Sequence, residues 1–553
     1  MAATAKPYDL VVVGGGVVGA GIARDAALRG MKVALLERRD LGYGTSSKSS
    51  KLVHGGLRYL EQGELKLVFE GVSERAVQMR NAPHLVRPVP FFVPIYKTHR
   101  PGLRIIDIGL WIYDAMAMFS TTQLHKTFPA REVAKLEPAL ERKGLAGALE
   151  YFDCLTDDAR LTLENALDAR QMGAELHTYT ELVGAKFDKK GRVTSVLARG
   201  TLDGRPLELA TRAVVVAAGP WVDEVMTRLG LPPARPLLRP TKGIHVVVPS
   251  DRLPVERAVT LFTKDERVMF ALPWIERTVI GTTDTDYQGD PADVAASGDD
   301  VRYCCDQANQ FFPGSKLTPN DVIATWAGLR PLVASDATRT HDVSREHEVF
   351  VHEQGVIVIA GGKLTTYRRM AKDTLDRVTE WLGDYYDGWK GERTIARCTT
   401  KHRALPGAQG MIPEGEKMAP EDAVAALSNR LARDHGVNER VGEHLAWTYG
   451  VHAAKVLARA AAEPALRERL NGDLPYLWAE VDHAVDEELA KTVEDVLARR
   501  TQMLLRGMDQ GLDVAERVAD RMAKRLKWTR EMRAASLEEY ATTVARSRRF
   551  RSE

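Results

Sequence analysis

The chain has 553 residues, too many for one compact core, so two or three domains are expected. Its 44% apolar and 27% charged residues match an ordinary globular protein, and 77 basic against 75 acidic side chains leave a net charge of +2, without the basic excess of a nucleic-acid binder. Four cysteines, Cys154, Cys304, Cys305 and Cys398, have neither zinc-ligand spacing nor a C-x-x-C pair, which points to a reducing compartment and away from a disulfide framework.

The opening MAATAKPYDL carries neither a secretory signal nor an arginine-rich transit peptide. Residues 8 to 37 then read as strand, tight turn, helix and strand, with Gly30 stopping the helix. Gly14-x-Gly16-x-x-Gly19 follows the first strand and opens the helix, and Glu37 ends the second strand. In that context the glycines predict a pyrophosphate on helix N–H groups, with Glu37 accepting from ribose hydroxyls. An acid there favours FAD or NAD over NADP, although Arg38 and Arg39 weaken the discrimination.

A hydroxyl-rich segment follows, SSKLVHGGLRYLEQG from Ser49. Its residue types suit either a phosphorylated ligand or an ordinary surface loop. The stretch RIIDIGLWIYDAMAMF, residues 104 to 119, is broken by Asp107 and Asp114 and lacks the roughly 18 uninterrupted apolar residues of a spanning helix. We read it as a buried or interface segment in preference to membrane contact.

Further on, AVVVAAGPW ends a third strand in small residues and brings Ala218 and Gly219 near a dinucleotide. A second strand–Gly-Gly–helix unit, VIVIAGGKLTTYRRMAKDTLD, supplies Gly362, Lys363, Leu364 and Thr365 at a helix amino end, where free N–H groups favour negative charge on a reduced flavin. Asp284 and Asp286 of GTTDTDY lack metal-ligand company and read as turn and strand-end hydrogen bonders. Around residue 384 the periodicity lapses, and the segment 389–419 reads as a linker. Pro420, with Glu421 and Asp422 in the first turn and Gly436 at the stop, then opens an all-helical region. The expected fold is α/β plus α: residues 1–388 form a dinucleotide part (roughly 1–85, 155–235 and 325–388) interleaved with a substrate part, and 420–553 form a helical domain.

The combination TSSKSSKLVHGGLRYLEQGEL, AAGPWVD, IGTTDTDYQGDP, WAGLRPL and GGKLTTYRRMA resembles the FAD-dependent respiratory sn-glycerol-3-phosphate dehydrogenases, from residue 8 to about 383 and more loosely beyond. The resemblance implies a glutathione-reductase-like FAD (Rossmann) domain, an interleaved α+β substrate domain and a carboxyl-terminal helical cap. It implies that Gly14, Gly16, Gly19, Glu37, Thr45, Ser46 and Ser47 hold FAD, together with Ser50, Lys51, Leu52, His54, Gly55, Gly56 and Leu57 of the segment after them. It associates Arg58, Tyr59, Arg330, Arg345 and Lys363 with substrate. Arginine forks and a lysine charge suit a phosphomonoester. The implied reaction oxidises sn-glycerol 3-phosphate to dihydroxyacetone phosphate by hydride transfer from carbon 2 to flavin N5. His54 and His245 are both candidate bases, and Arg58 suits electrostatic stabilisation, because a guanidinium resists deprotonation. Arg330 and Lys363 complete the catalytic set.

Electrons would pass to a membrane quinone, with peripheral attachment to the inner face of the cytoplasmic membrane through the Trp111 stretch or basic helices such as RMAKRLKW. Mitochondrial relatives carry a transit peptide and EF-hands, and neither is seen, which favours a bacterial-type cytoplasmic-side enzyme; a homodimer is expected. A soluble oxidase making hydrogen peroxide, a flavin oxidase of amino or hydroxy acids, and a non-catalytic flavin-binding regulator are the alternatives.

Overall fold

The computed structural model describes residues 6–57, 59, 63–98, 102–116, 123–265, 267–334, 346–386 and 395–553. Strand β1 (Leu10–Val13), helix α1 (Val17–Leu28) and strand β2 (Val33–Leu36) form the expected parallel unit. All eight strand residues are buried, so these runs are continuously apolar instead of alternating. Around them stands a six-stranded sheet in the order His347–His352, Val356–Gly361, Val214–Val216, β1, β2, Glu175–His177. Its pairings are parallel except at the His347–His352 edge. Helix α1 covers one face against Asp158–Gln171 and Tyr367–Tyr385, and a three-stranded antiparallel sheet, Thr180 to Ala210, lies beyond the other.

A second, larger sheet carries the remaining strands and packs helices on either side. Two helices cross near its cavity edge, α2 (Leu65–Asn81) and α3 (Leu103–Met116). Strand β3 (Leu238–Pro249) is paired on one side by β4 (Arg277–Gly281) and on the other by β5 (Ala324–Val333), in register over ten residues. Here the structure corrects the expected boundary at residue 325: β5 belongs to the substrate sheet through its pairing with β3, and the dinucleotide sheet resumes only at His347.

The helical region begins as expected. Pro420 is the first helical residue, and Gly436 takes the left-handed conformation (φ 62°) that ends the helix. The described part of the segment read as a linker is docked, not loose. Leu405 N donates to Asn81 O, Arg403 joins Arg24 on Asp168, and Gly407 N donates to Glu164 Oε2. A Cβ on Gly407 would lie 2.5 Å from His84 Nε2, so only bare backbone fits there. The last helix, Arg530–Ser547, hands the chain back to the substrate sheet, where Ser547 bonds Thr325 and Phe550 is buried.

Candidate active site

A single cavity of about 1070 Å³ runs from the carboxyl end of β1 and β2 to the face of the larger sheet. At its first end Gly14 has φ 112°, and a Cβ there would stand 2.5 Å from Ala217 O, so the turn closes on the neighbouring strand only as glycine. Gly19 does not reach the cavity; its role is contact, since a Cβ would meet Gly14 O at 1.9 Å. Gly16 lines the wall, and Ser46 Oγ accepts from Val17 N, satisfying one first-turn N–H of α1. Glu37 accepts from Gly15 N at 2.6 Å and Arg39 N at 2.8 Å. Burial pushes its carboxyl up while those two bonds oppose the shift. Each carboxylate oxygen keeps a further acceptor site for a ribose hydroxyl.

Sequence reasoning noted Arg39 only against the choice of dinucleotide, and missed Lys48 and Arg499 at this end. Lys48, Arg39 and Arg499 surround the Tyr43 ring at 4.9, 4.8 and 5.5 Å, and Lys48 and Arg39 line the cavity. Burial draws the Lys48 ammonium down to about 8. Positive groups beside an open helix amino end suit a pyrophosphate, and the glycine backbone leaves it room. The residues present therefore fit a dinucleotide.

Along the middle, Thr45 donates to Leu329 O at 2.7 Å, and Thr45, Ser50, Leu52, His54, Gly56 and Leu57 face the cavity. Ser47, Lys51 and Gly55 do not. Ser47 Oγ reaches Gly44 O, and a Cβ on Gly55 would meet Tyr113 Oη at 2.1 Å. Lys51 is turned into the protein, where Nζ lies 2.7 Å from Asp158 Oδ1 with both side chains buried. Opposite, Ala218 and Gly219 line the wall, as do Gly362, Lys363, Leu364 and Thr365 at the amino end of the helix beginning at Tyr367. Thr365 Oγ1 donates to His54 O and accepts from His54 N, tying the two turns together.

At the far end, adjacent strands present three facing pairs on one side: Thr241 with Arg330, Gly243 with Gly328, and His245 with Trp326. A period of two along TKGIHVVV and TWAGLRPL was the available signal for this face. His245 stacks on Trp326 at 4.7 Å, and its Nε2 pairs with Ser50 Oγ at 2.9 Å. Burial, with Arg330 and Lys51 adding positive charge, holds its imidazole well below 6.5 and hence neutral at neutral pH. Across the cavity Lys363 Nζ lies 3.6 Å from the Tyr59 ring centroid. Arg58 and Arg345 lie outside the described residues.

Comparison with known proteins matches residues 9–377 to the FAD dependent oxidoreductase family and residues 398–533 to the C-terminal domain of alpha-glycerophosphate oxidase. The glycerol-3-phosphate dehydrogenase of Mycobacterium leprae is 40% identical over 95% of this chain and 86% of its own length. The aerobic glycerol-3-phosphate dehydrogenase of Bacillus subtilis is 35% identical over 95% and 92%. The chain belongs to the FAD-dependent glycerol-3-phosphate dehydrogenase family. A solved member of that family, from Bacillus halodurans and complexed with FAD, superposes with a TM-score of 0.79 at 31% identity, covering 99% of this chain and 96% of its own. The L-alpha-glycerophosphate oxidase of Mycoplasma pneumoniae shares the fold at 17% identity and a TM-score of 0.52. FAD is thus the cofactor of this family member, and Gly14, Gly16, Thr45, Ser46, Ser50, Leu52, His54, Gly56 and Leu57, with Glu37, are the predicted residues that line the cavity where it would be held.

The cavity has an apolar mouth. Ile105, Ile108 and Ile112 of α3 and Leu65 of α2 line it while standing 45 to 63% exposed, and Trp111 and Phe69 extend the patch outward. The segment at 104–119, expected to be buried or at an interface, is buried on the side of Leu110, Tyr113 and Asp114; residues 117–119 lie outside the described residues. Among the described residues no helix is long and apolar enough to cross a membrane, and no group of His, Cys, Asp or Glu could hold a metal.

Proposed function

We propose that the protein oxidises sn-glycerol 3-phosphate to dihydroxyacetone phosphate and passes the electrons to a membrane quinone. The observation that carries the reading is the pairing of a cation with a neutral, buried imidazole on neighbouring strands: Arg330 and His245 face the same cavity that begins at the dinucleotide turn. FAD, when bound, would supply the two-electron acceptance for the hydride of carbon 2. Arg330 and Lys363 bind the phosphoryl group, with Tyr59 orienting the lysine, and Arg58 and Arg345 are proposed to join them. His245 takes the hydroxyl proton as carbon 2 becomes a carbonyl. Its neutrality suits a base, and Ser50 Oγ, on the wall and 2.9 Å from Nε2, offers a relay to it. His54 is the second candidate for that proton.

Anaerobic titration of the holoenzyme tests this directly: glycerol 3-phosphate should bleach the flavin absorbance at concentrations where glycerol does not. Equal bleaching by both would refute the phosphate reading. A quinone acceptor is supported by the exposed apolar residues at the mouth, which suit peripheral contact with a bilayer from which a quinone ring could approach. The oxidase reading draws on the carboxyl-terminal match; stoichiometric hydrogen peroxide with no quinone-dye reduction would favour it. A homodimer is proposed on family grounds, and sedimentation of the holoenzyme tests it.

A further inference from the structure

The turn after β4 carries Thr282, Thr283 and Asp284 on the cavity wall. Arg330 reaches this turn from β5, two strands away, by crossing over β3. It crosses at Gly243, where a Cβ would stand 2.6 Å from the guanidinium Nη2 and 2.7 Å from Thr282 Oγ1. The guanidinium therefore occupies the space that a side chain at 243 would fill. From there Nη1 donates to Asp284 Oδ1 at 3.0 Å, and Nη2 donates to Thr282 Oγ1 at 3.2 Å and Thr283 O at 3.1 Å. The ion pair is mostly buried, with side chains 23% and 18% exposed, so the carboxylate is less screened than in a surface pair.

An arginine side chain has several soft torsions, and a fork fixed before the ligand arrives loses less entropy on binding it. Bare backbone at 243 gives the guanidinium its plane, and Asp284 gives it its direction. We propose that Asp284, acting across Gly243, is the positioning residue that presets the Arg330 fork for the substrate phosphoryl group. The proposal rests on the reading of Arg330 as a substrate cation and extends the turn-bonding role expected of Asp284 from sequence.

The test is anaerobic flavin reduction by glycerol 3-phosphate and by glycerol in four holoenzyme variants, with FAD content and melting temperature measured alongside. Asp284→Ala should raise the half-saturating glycerol 3-phosphate concentration roughly tenfold, the effect of losing one charge-assisted hydrogen bond, and change the limiting reduction rate much less. Asp284→Asn keeps an acceptor without the charge and should fall between wild type and Asp284→Ala. Gly243→Ala should mimic Asp284→Ala with the carboxylate intact, because it displaces the fork. In each, the preference for glycerol 3-phosphate over glycerol should drop in step, a change that general loosening of the fold would not produce. Arg330→Gln should abolish most of that preference; if it leaves the preference intact, the reading of Arg330 itself fails. If Arg330→Gln removes it while Asp284→Ala, Asp284→Asn and Gly243→Ala all keep wild-type half-saturation, the positioning role of Asp284 is overturned and the reading of Arg330 stands. Should Asp284→Ala lose FAD or melt early, Asp284→Asn and Gly243→Ala decide between the same two outcomes.

Discussion

Lys51 is the residue whose expected role the structure changes most, and its substitution separates two physical accounts. In sequence it lies among serines and a glycine pair, as a cofactor ligand would. In the fold its ammonium is 2.7 Å from Asp158, with the two side chains 4% and 0% exposed. Asp158 also accepts from Ser49 N and Oγ and from Ala159 N, so the pair pins the 47–51 loop to the first turn of the helix Asp158–Gln171. Lys51 itself has φ 55°, a left-handed conformation that costs a non-glycine residue about 1 kcal/mol and is held by this contact. Lys51→Met leaves a buried carboxylate without its cation. Breaking a buried pair in this way costs about 3–5 kcal/mol, and the three remaining hydrogen bonds argue for the lower end. Amide exchange across residues 45–53, followed by mass spectrometry on the apoprotein, should therefore accelerate about a hundredfold. Lys51→Met/Asp158→Asn removes the stranded charge while keeping an acceptor for Ser49, and should restore both slow exchange and FAD affinity. If the double variant stays as poor in FAD binding as Lys51→Met, Lys51 acts on the cofactor directly and the structural account fails.

Gly19→Ala places a methyl 1.9 Å from Gly14 O, against backbone on that side and the Ala217 methyl at 3.5 Å on the other, with no flexible side chain to yield. FAD titration of the apoprotein, read by quenching of flavin fluorescence, should show affinity roughly 10 to 100 times weaker, and wild-type affinity would contradict the contact. Because His245 is held well below 6.5 in the fold, the unfolded chain binds its proton first as pH falls. Its contribution to stability is full above 6.5 and lost as pH drops below it, and His245→Asn should flatten that part of the melting-temperature profile. If His245 takes the substrate proton, the same variant also slows flavin reduction at pH 7 by about 10²-fold or more. Replacing Ile108 and Trp111 together by lysine should shift the enzyme from vesicles of neutral lipid to the supernatant in a flotation assay while leaving bleaching by glycerol 3-phosphate intact. Unchanged flotation would remove the α2–α3 patch from the membrane contact.

Local features were legible in the chain, and the non-local ones were not. Three glycines and an acid at the end of the next strand are consecutive-element signals, and the β1–α1–β2 unit follows from them directly. Pro420 and Gly436 bound their helix for the same reason. The run ATWAGLRPLV shows a strand but not its partner, so sequence alone assigns β5 to the dinucleotide part, whereas its register with β3 puts it in the substrate sheet. Lys51 and Asp158 are 107 positions apart, and Arg330 and Asp284 are 46 apart; charge alone could not couple them. The segment around Gly407 reads as a linker because glycine and proline mark both free chain and close docking, and the distant His84–Glu164 pair beneath it, with Asn81 and Asp168, distinguishes the two.

The helical domain, whose role composition left open, is built into the cofactor end of the molecule. Asp40 stands three residues after Glu37 and is fully buried, a position in which a lone carboxylate would be costly. Burial pushes its carboxyl up, but Arg500 and Arg499 outweigh that and hold it below the usual carboxylate range. Arg499 bonds Asp40 Oδ2 at 2.6 Å, and Arg500 takes both oxygens at 2.8 and 2.9 Å. Arg499 also lies over Tyr43, and Arg39 is paired with Glu539 of the last helix. The turn that presents Glu37 and Arg39 to the cavity is thus closed from outside by residues some 460 positions later in the chain. A domain that merely capped the sheet would need apolar contact alone. Fixed charge pairs at this place tie the geometry of the nucleotide end to the docking of the helices, so loss of that docking would strip Asp40 of its cations and the nucleotide turn of its outer wall.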